Sequence, residues 1–322
     1  MYRNTQDAYG GHKLKVIITG GTGLIGRELS ADLAADGHEV IVLSRAPETS
    51  EGLPAGVRAE RWDGRTADGW ASLADGADAI VNLAGASISG EGLLPSRWTD
   101  ERKRLIRESR LNAGRAVVDA VRQTSRKPHA VIQASGVGIY GPRGDDPVAE
   151  DGPVGQDFLA SFAANEWETS TATVEAMGVR RAIIRSGVVL SKAGGALRPM
   201  LLQFRLFAGG PIGSGKQWLS WIHAKDEARA IRFLIENQSA AGPFNLSAPQ
   251  AVTNVQFART LGRVMRRPSW LPLPGIAMRA AFGQVSGLLL TGQRVVPRHL
   301  LDLGFRFRFP DLEEALRDAL VQ

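Results

Sequence analysis

Three glycines spaced G-x-x-G-x-x-G, Gly20, Gly23 and Gly26, are the first residues whose type and spacing could do chemistry. Glycine permits a tight turn and close approach of a charged ligand, and the unpaired N–H groups of a following helix hold phosphate oxygens. Thr22, Leu24 and Ile25 fill the same turn and the first helical turn. About twenty residues on, where a carboxylate would accept a ribose 2′-hydroxyl, the chain has Ser44-Arg45. Nothing acidic there repels a 2′-phosphate, and a guanidinium can grip one bidentately; otherwise Arg45 is a solvated loop residue. Asp63 and Leu83-Ala84-Gly85 stand at two further strand ends, the latter with small residues that let a nucleotide approach. The ligand this predicts is NADP(H).

These residues need a strand, a turn, a helix and a second strand around them. The apolar run Val16 to Ile18, the helical pattern Leu24, Ile25, Leu29, Leu33 ending at Gly37, and the run Val40 to Leu43 supply that order. Further strands are predicted at Val57–Trp62, Ala79–Leu83, His129–Ser135 and within Gly178–Val189, with helices at Trp70–Leu73, Thr99–Thr124 and Phe158–Met177. Alternating strands and helices predict an α/β fold, a Rossmann doubly wound parallel sheet. After Ser191 the rhythm breaks at Gly194-Gly195, Gly209-Gly210-Pro211 and Gly213-Ser214-Gly215. Asp226 reads as the N-cap of a helix to Asn237, and a helix at Asn254–Met265 precedes the breakers Pro268, Pro272 and Pro274. The expected organisation is a disordered lead-in at 1–12 and a Rossmann domain at 13–190, to which 217–247 return. Segments 191–216 and 248–322 form a smaller C-terminal substrate domain.

Composition sets the bounds. The chain has 322 residues, 43% hydrophobic and 22% charged, with no cysteine, which excludes disulfides and thiolate chemistry and fits a cytoplasmic setting. No apolar run reaches the roughly 18 residues of a membrane span. The longest, Ile276 to Leu290, is broken by Arg279 and Gln284, so no membrane partner is expected. Net charge is +6. In the Arg-rich stretch 97–115 the apolar positions Trp98, Leu105, Ile106 and Leu111 follow helical spacing with charges between them. That is a solvated helix face rather than a nucleic-acid surface, and a positive balance suits a polyanionic cofactor.

The motifs TGGTGLIG at 19–26, VNLAGA at 81–86, RWTDERK at 97–103, ASGVGIYG at 134–141 and GSGKQWLSWIHAKD at 213–226 resemble the extended short-chain dehydrogenase/reductase superfamily. With the C-terminal stretch 292–316, GQRVVPRHLLDLGFRFRFPDLEEAL, the chain is similar to the nucleoside-diphosphate-sugar epimerases labelled SulA-like, which carry a DUF1731-type module. The resemblance implies an NADP(H)-binding Rossmann domain, a small polar substrate, and a homodimer built on the two long helices. It also implies a Ser or Thr with Tyr-x-x-x-Lys on one helix, the lysine lowering the phenol's pKa for proton exchange. Here the chain departs: its three tyrosines are Tyr2, Tyr9 and Tyr140, none with lysine four residues on, and helix 158–168 reads FLASFAANEWE.

The remaining candidates are substitutes. Ser135 stands near the superfamily serine position, Tyr140 in the Tyr-Gly turn, and Glu166 on the helix that faces the nicotinamide in relatives. Each has a plainer reading, as strand-end cap, structural tyrosine and solvated carboxylate. The loop Gly209 to Trp221 offers Ser214, Lys216, Gln217, Trp218 and Trp221 as a lid over a polar ligand such as a sugar nucleotide, or forms a surface turn with core tryptophans. His223 could titrate near neutrality or be a buried hydrogen-bonded residue, and with Asp226 it makes no metal site. Two functions remain open: an NADP(H)-dependent oxidoreductase or epimerase, and a non-catalytic NADP(H)-binding regulator.

Overall fold

The computed structural model describes residues 13–49, 52–90, 92 and 94–321, and the expected lead-in at 1–12 lies outside the described residues. Seven strands form one parallel sheet: β1 (Lys15–Thr19), β2 (Glu39–Ser44), β3 (Val57–Arg61), β4 (Ala79–Asn82), β5 (Ala130–Gly136), β6 (Arg180–Ser186) and β7 (Gly242–Leu246). Their order is β7-β6-β5-β4-β1-β2-β3. Alternate residues bury on opposite faces, as strand geometry requires. Val16, Ile18, Val81, Ile132 and Ile184 pack in one core with residues of α1 (Leu24–Ala35) and of α5 (Ala224–Glu236). Ile17, Ile80 and Val131 pack in another with Ala113, Val117 and Val121 of α2 (Asp100–Gln123). Burial on both faces explains why these strands are runs of Val and Ile rather than alternating with polar residues. The order reverses between β1 and β4, which opens a crevice at their carboxyl ends.

Two expected elements differ. The helix at Phe158–Met177 is α-helical only as α3 (Phe158–Phe162); a π-turn follows at Ala163–Trp167 and a tighter 3₁₀ run at Glu168–Met177. Thr169 Oγ1 donates to Asn165 O (2.9 Å) and Ser170 Oγ to Trp167 O (2.7 Å). Such back-bonding competes with the regular ladder. The strand expected within 178–189 ends at Ser186, and Val188–Leu190 pairs separately with Trp221–His223. Gly187 lies between, where a Cβ would come within 2.7 Å of Ser220 O.

The C-terminal part builds a third core from α4 (Leu197–Arg205), α6 (Asn254–Met265) and the last helix, Leu312–Val321, around Leu201, Phe204, Trp221, Phe257 and Leu316. Thr253 and Gln256 close a capping box on α6. A shorter helix, α7 (Gly275–Phe282), follows the proline-rich break. Asp226 does not cap α5. His223 does, its Nδ1 accepting the Lys225 N–H (3.1 Å). Asp226 lies one turn further in and reaches the other way. Its buried carboxylate accepts the N–H groups of Arg308 and Phe309 (2.8 Å each) and pairs with Arg229 (2.8 Å). One carboxylate thus ties the C-terminal segment to α5.

Replacing it leaves two amides without an acceptor. Asp226→Ala should lower unfolding free energy by about 3 kcal/mol, read from urea denaturation.

Candidate active site

The glycine loop sits at the crevice between β1 and β4. Gly20 has φ +68°, and a Cβ on it would lie 2.9 Å from Ala84 N and from the Leu83 carbonyl carbon. Gly26 touches Gly21 so closely that a Cβ would meet its Cα at 2.4 Å. Gly21, to which the sequence assigned no role, is held against β2, with both Val42 methyls 2.6 Å from its Cβ position. Gly23 begins α1 with no side-chain cap, and the first turn holds no acidic residue. Those amide N–H groups and the positive end of the helix dipole are left for an anion, so the cradle fits a dinucleotide pyrophosphate. Thr22 O accepts from Arg27 Nε (2.8 Å), Leu24 rests against Gly195, and Ile25 packs on the core.

The floor of the crevice is a buried polar chain that sequence reading missed. Thr19 Oγ1 donates to Asn82 Oδ1 (2.7 Å), and Asn82 Nδ2 to Gln133 Oε1 (2.9 Å), across three strands. Thr19 in turn holds the loop after β4, accepting Leu83 N–H on its carbonyl (3.1 Å) and Ala84 N–H on its hydroxyl (3.2 Å). At the end of β2, Ser44 Oγ accepts Ala46 N–H (3.2 Å). Arg45 is exposed, and no carboxylate among the described residues pairs with it. Asp63 turns back on its own loop, accepting from Arg65 N (2.7 Å), Thr66 N (2.8 Å) and Thr66 Oγ1 (3.0 Å). Desolvation, the largest single influence, pushes its pKa up, but these bonds and the Arg65 charge together outweigh it and hold the carboxyl below its usual range.

On the α2 face of the sheet, Ser135 continues the row of Val131 and Gln133 at the end of β5. It is buried, and its Oγ has no hydrogen-bond partner. Beyond Gly85, which is exposed, lies Arg110. This arginine belongs to the stretch expected to be a solvated face, yet it is buried. Its Nη1 donates to Ala86 O (2.9 Å) and Ile106 O (3.1 Å), its guanidinium lies 4.5 Å from the Trp167 ring, and its Nε is enclosed without a partner. Burial, with Arg102 nearby, pulls its pKa down to about 10, so it stays charged. No sequence signal separates it from its neighbours; only the space left by Gly85, where a Cβ would touch the guanidinium at 2.9 Å, admits it.

Other candidates have structural work. Tyr140 is buried, its hydroxyl donating to Asn245 Oδ1 (2.7 Å) and accepting from Arg185 Nη1 (3.0 Å). Arg185 grips Glu168 with both Nε (2.8 Å) and Nη2 (2.9 Å). Burial pushes the phenol's pKa up, against the opposing pull of Arg185, whereas a proton relay needs it lowered. Glu166, on the π-turn, pairs with Arg107 of α2 at 2.6 Å and is half-buried.

In the loop expected to form a lid, Ser214 and Lys216 are exposed. Gln217 Nε2 is taken by Ile212 O (2.9 Å) and Leu289 O (2.8 Å). Trp218 donates to Asp145 Oδ1 (2.7 Å) beneath Arg294. Trp221 is fully buried in the third core and donates to Gln250 O (3.0 Å). His223, also fully buried, packs on Phe309; desolvation pulls its pKa down to about 4 despite Asp318. It does not titrate near neutrality, because the imidazolium would lose its hydration.

A model of the NAD dependent epimerase/dehydratase family matches residues 16–247. The chain belongs to that family. Residues 273–319 match DUF1731, a domain of unknown function. The epimerase family protein YfhF of Bacillus subtilis (strain 168) is 40% identical over 318 residues, 96% of this chain and 98% of that one. The chloroplastic SDR39U1 homolog of Arabidopsis thaliana is 39% identical over 318 residues, 96% and 87% of the two chains. A crystal structure of the human epimerase family protein SDR39U1 with NADPH aligns at TM-score 0.83 and 34% identity, covering 96% of this chain and 100% of that one.

This epimerase-family chain also buries a carboxyl that sequence reading passed over. Glu227 of α5 accepts from Ser186 Oγ (2.5 Å), and desolvation raises its pKa to about 8 against that bond. Between its ordinary 4.5 and about 8 the folded state therefore holds a proton the unfolded chain has lost. Stability should fall as pH rises through that window, by at most about 1.4 kcal/mol per pH unit. Thermal unfolding of Glu227→Gln should show a flatter profile. Tyr140→Phe should lower stability by about 1–2 kcal/mol in denaturant, with NADPH affinity unchanged.

Proposed function

We propose that this chain binds NADP(H) and acts as an oxidoreductase or epimerase on a small polar substrate of the sugar-nucleotide kind. One observation carries the cofactor choice. The strand end that would hold an acidic residue for a 2′-hydroxyl presents Ser44 and an exposed Arg45 instead. A guanidinium pairs with a 2′-phosphate and has nothing comparable to grip on NAD(H). The NADPH in the human relative's crystal structure supports the same reading.

The bound dinucleotide supplies a hydride donor or acceptor. The uncapped first turn of α1 holds the pyrophosphate, and Gly20 with Ala84 and Gly85 keeps the backbone low enough for close approach. Ser135 Oγ, enclosed and unpartnered, donates a hydrogen bond to the substrate's hydroxyl or carbonyl oxygen. Arg110 fixes a positive charge beneath the loop after β4. Segments 191–216 and 248–322 close over this crevice as a substrate domain, with Lys216 and Ser214 free to meet a phosphate.

A second reading, a non-catalytic NADP(H)-binding regulator, is favoured by one feature. Tyr140 is sealed in a hydrogen-bonded network, and no Tyr or Lys stands on residues 158–168. Stereospecific hydride loss from labelled NADPH across a carbonyl library separates the two; none at all favours the regulator.

Calorimetry with NADPH and NADH tests the cofactor. Arg45→Asp should weaken NADPH binding by roughly ten- to a hundred-fold, about 1.4–2.8 kcal/mol, and leave NADH within about three-fold. Equal losses for both would refute the assignment.

A further inference from the structure

Segments 187–224 and 237–301 hold eleven of the 39 Arg and Lys and not one Asp or Glu, which leaves 28 basic residues against all 33 acidic ones elsewhere. Charge segregation on this scale marks a surface built to meet polyanions. The same acid-free part carries large apolar side chains in water: Leu206 (67% exposed), Phe207 (56%), Trp270 (68%) and Ile276 (81%). The two segments that carry them lie side by side. Leu271 N donates to Gly209 O (3.0 Å) and Leu273 N to Pro211 O (2.9 Å), so the chain after α4 runs beside the chain before α7. Arg267 lies 4.5 Å over the Phe207 ring. Phe207 has φ +58°, a left-handed conformation an aromatic residue rarely adopts. Beside the patch is a hollow of about 610 Å³ lined by Arg259, Arg266 and Arg267, and by Arg263, which pairs at its edge with Glu313 (3.2 Å). Ser269 is also in its wall, with its Oγ enclosed and unpartnered.

We propose that this face docks the protein on an anionic lipid surface. Apolar residues rimmed by arginines match the two parts of such a surface: acyl chains take the leucine, isoleucine and aromatic side chains, and headgroup phosphates take the guanidiniums. A second copy of the chain is the weaker occupant, because a two-fold contact would set one acid-free surface against another. Nucleic acid is weaker too, since Ile276 and Leu206 have no flat face on which a base could stack. No membrane partner was expected from the sequence, and no helix among the described residues is long and apolar enough to cross a membrane. Docking on the surface needs none.

The test is co-sedimentation of the full chain with vesicles of phosphatidylcholine containing about 30% phosphatidylglycerol, against phosphatidylcholine alone. Binding is expected only to the anionic vesicles, weakened by salt. It should fall at least about ten-fold in Trp270→Glu, Ile276→Glu and the double variant Arg266→Gln/Arg267→Gln. Melting temperature and NADPH affinity should stay unchanged, since these side chains are exposed. No binding to anionic vesicles overturns the proposal, as does binding that these variants leave intact. It is also overturned if Trp270→Glu instead abolishes a concentration-dependent dimer, or if binding is confined to oligonucleotides.

Discussion

The contact between Gly20 and the turn after β4 decides what this molecule can hold. At φ +68°, with Ala84 and Leu83 under 3 Å from where a Cβ would stand, position 20 admits only glycine. That closeness brings two backbone stretches, from different strands, to one side of the crevice. Neither is free to drift, because Thr19 holds the β4 turn through its carbonyl and hydroxyl, and Asn82 and Gln133 extend the bonding to β5. A buried polar chain is costly unless its members are paired, and this one pairs its amides and hydroxyl across three strands. The uncapped start of α1 is therefore fixed against this floor.

The other half of the crevice is organised by charge buried for structural ends. Arg185 joins Glu168, Tyr140 and the Glu150 carbonyl, while Glu150 accepts the N–H groups of Asn245 and His299. The network binds β6, β7, the Tyr140 turn and the C-terminal segment together. A phenol used this way, raised in pKa and closed off, is lost to proton transfer. What the crevice keeps on the α2 face is Ser135, a hydroxyl without a partner, and Arg110, a charge without a counter-ion. Neither group resembles a tyrosine and lysine on a helix.

Charge is also divided over the whole molecule. The sheet carries nearly all its ion pairs internally, as where Arg232 meets Asp32, Asp36 and Glu236. The acid-free C-terminal part has no such partners of its own, so its arginines either face solvent or pair with carboxylates outside it, as Arg298 does with Asp151 and Arg263 with Glu313. The segment that follows it is tied to α5 through Asp226, which accepts the Arg308 and Phe309 N–H groups, and through Asp318, which pairs with Lys225.

By itself the sequence determined the sheet and the helix after the glycine loop. These depend on local pattern: β-branched runs, glycine spacing and helical periodicity are written in neighbouring residues. The stretch Asn254–Met265 was legible to the residue because its capping box lies within four positions. Tertiary structure alone decided the rest. Whether Tyr140, Trp221 and His223 face a ligand or the core depends on residues well beyond their own elements: Asn245 for Tyr140, Gln250 for Trp221 and Phe309 for His223. Arg110 and Glu227 look like any charged residue on an amphipathic helix until the sheet packs over them. The exposed patch at Phe207 and Trp270 arises only when two segments far apart in the chain lie side by side. Local forces set what each stretch becomes, and long-range packing sets which side chains remain free to act.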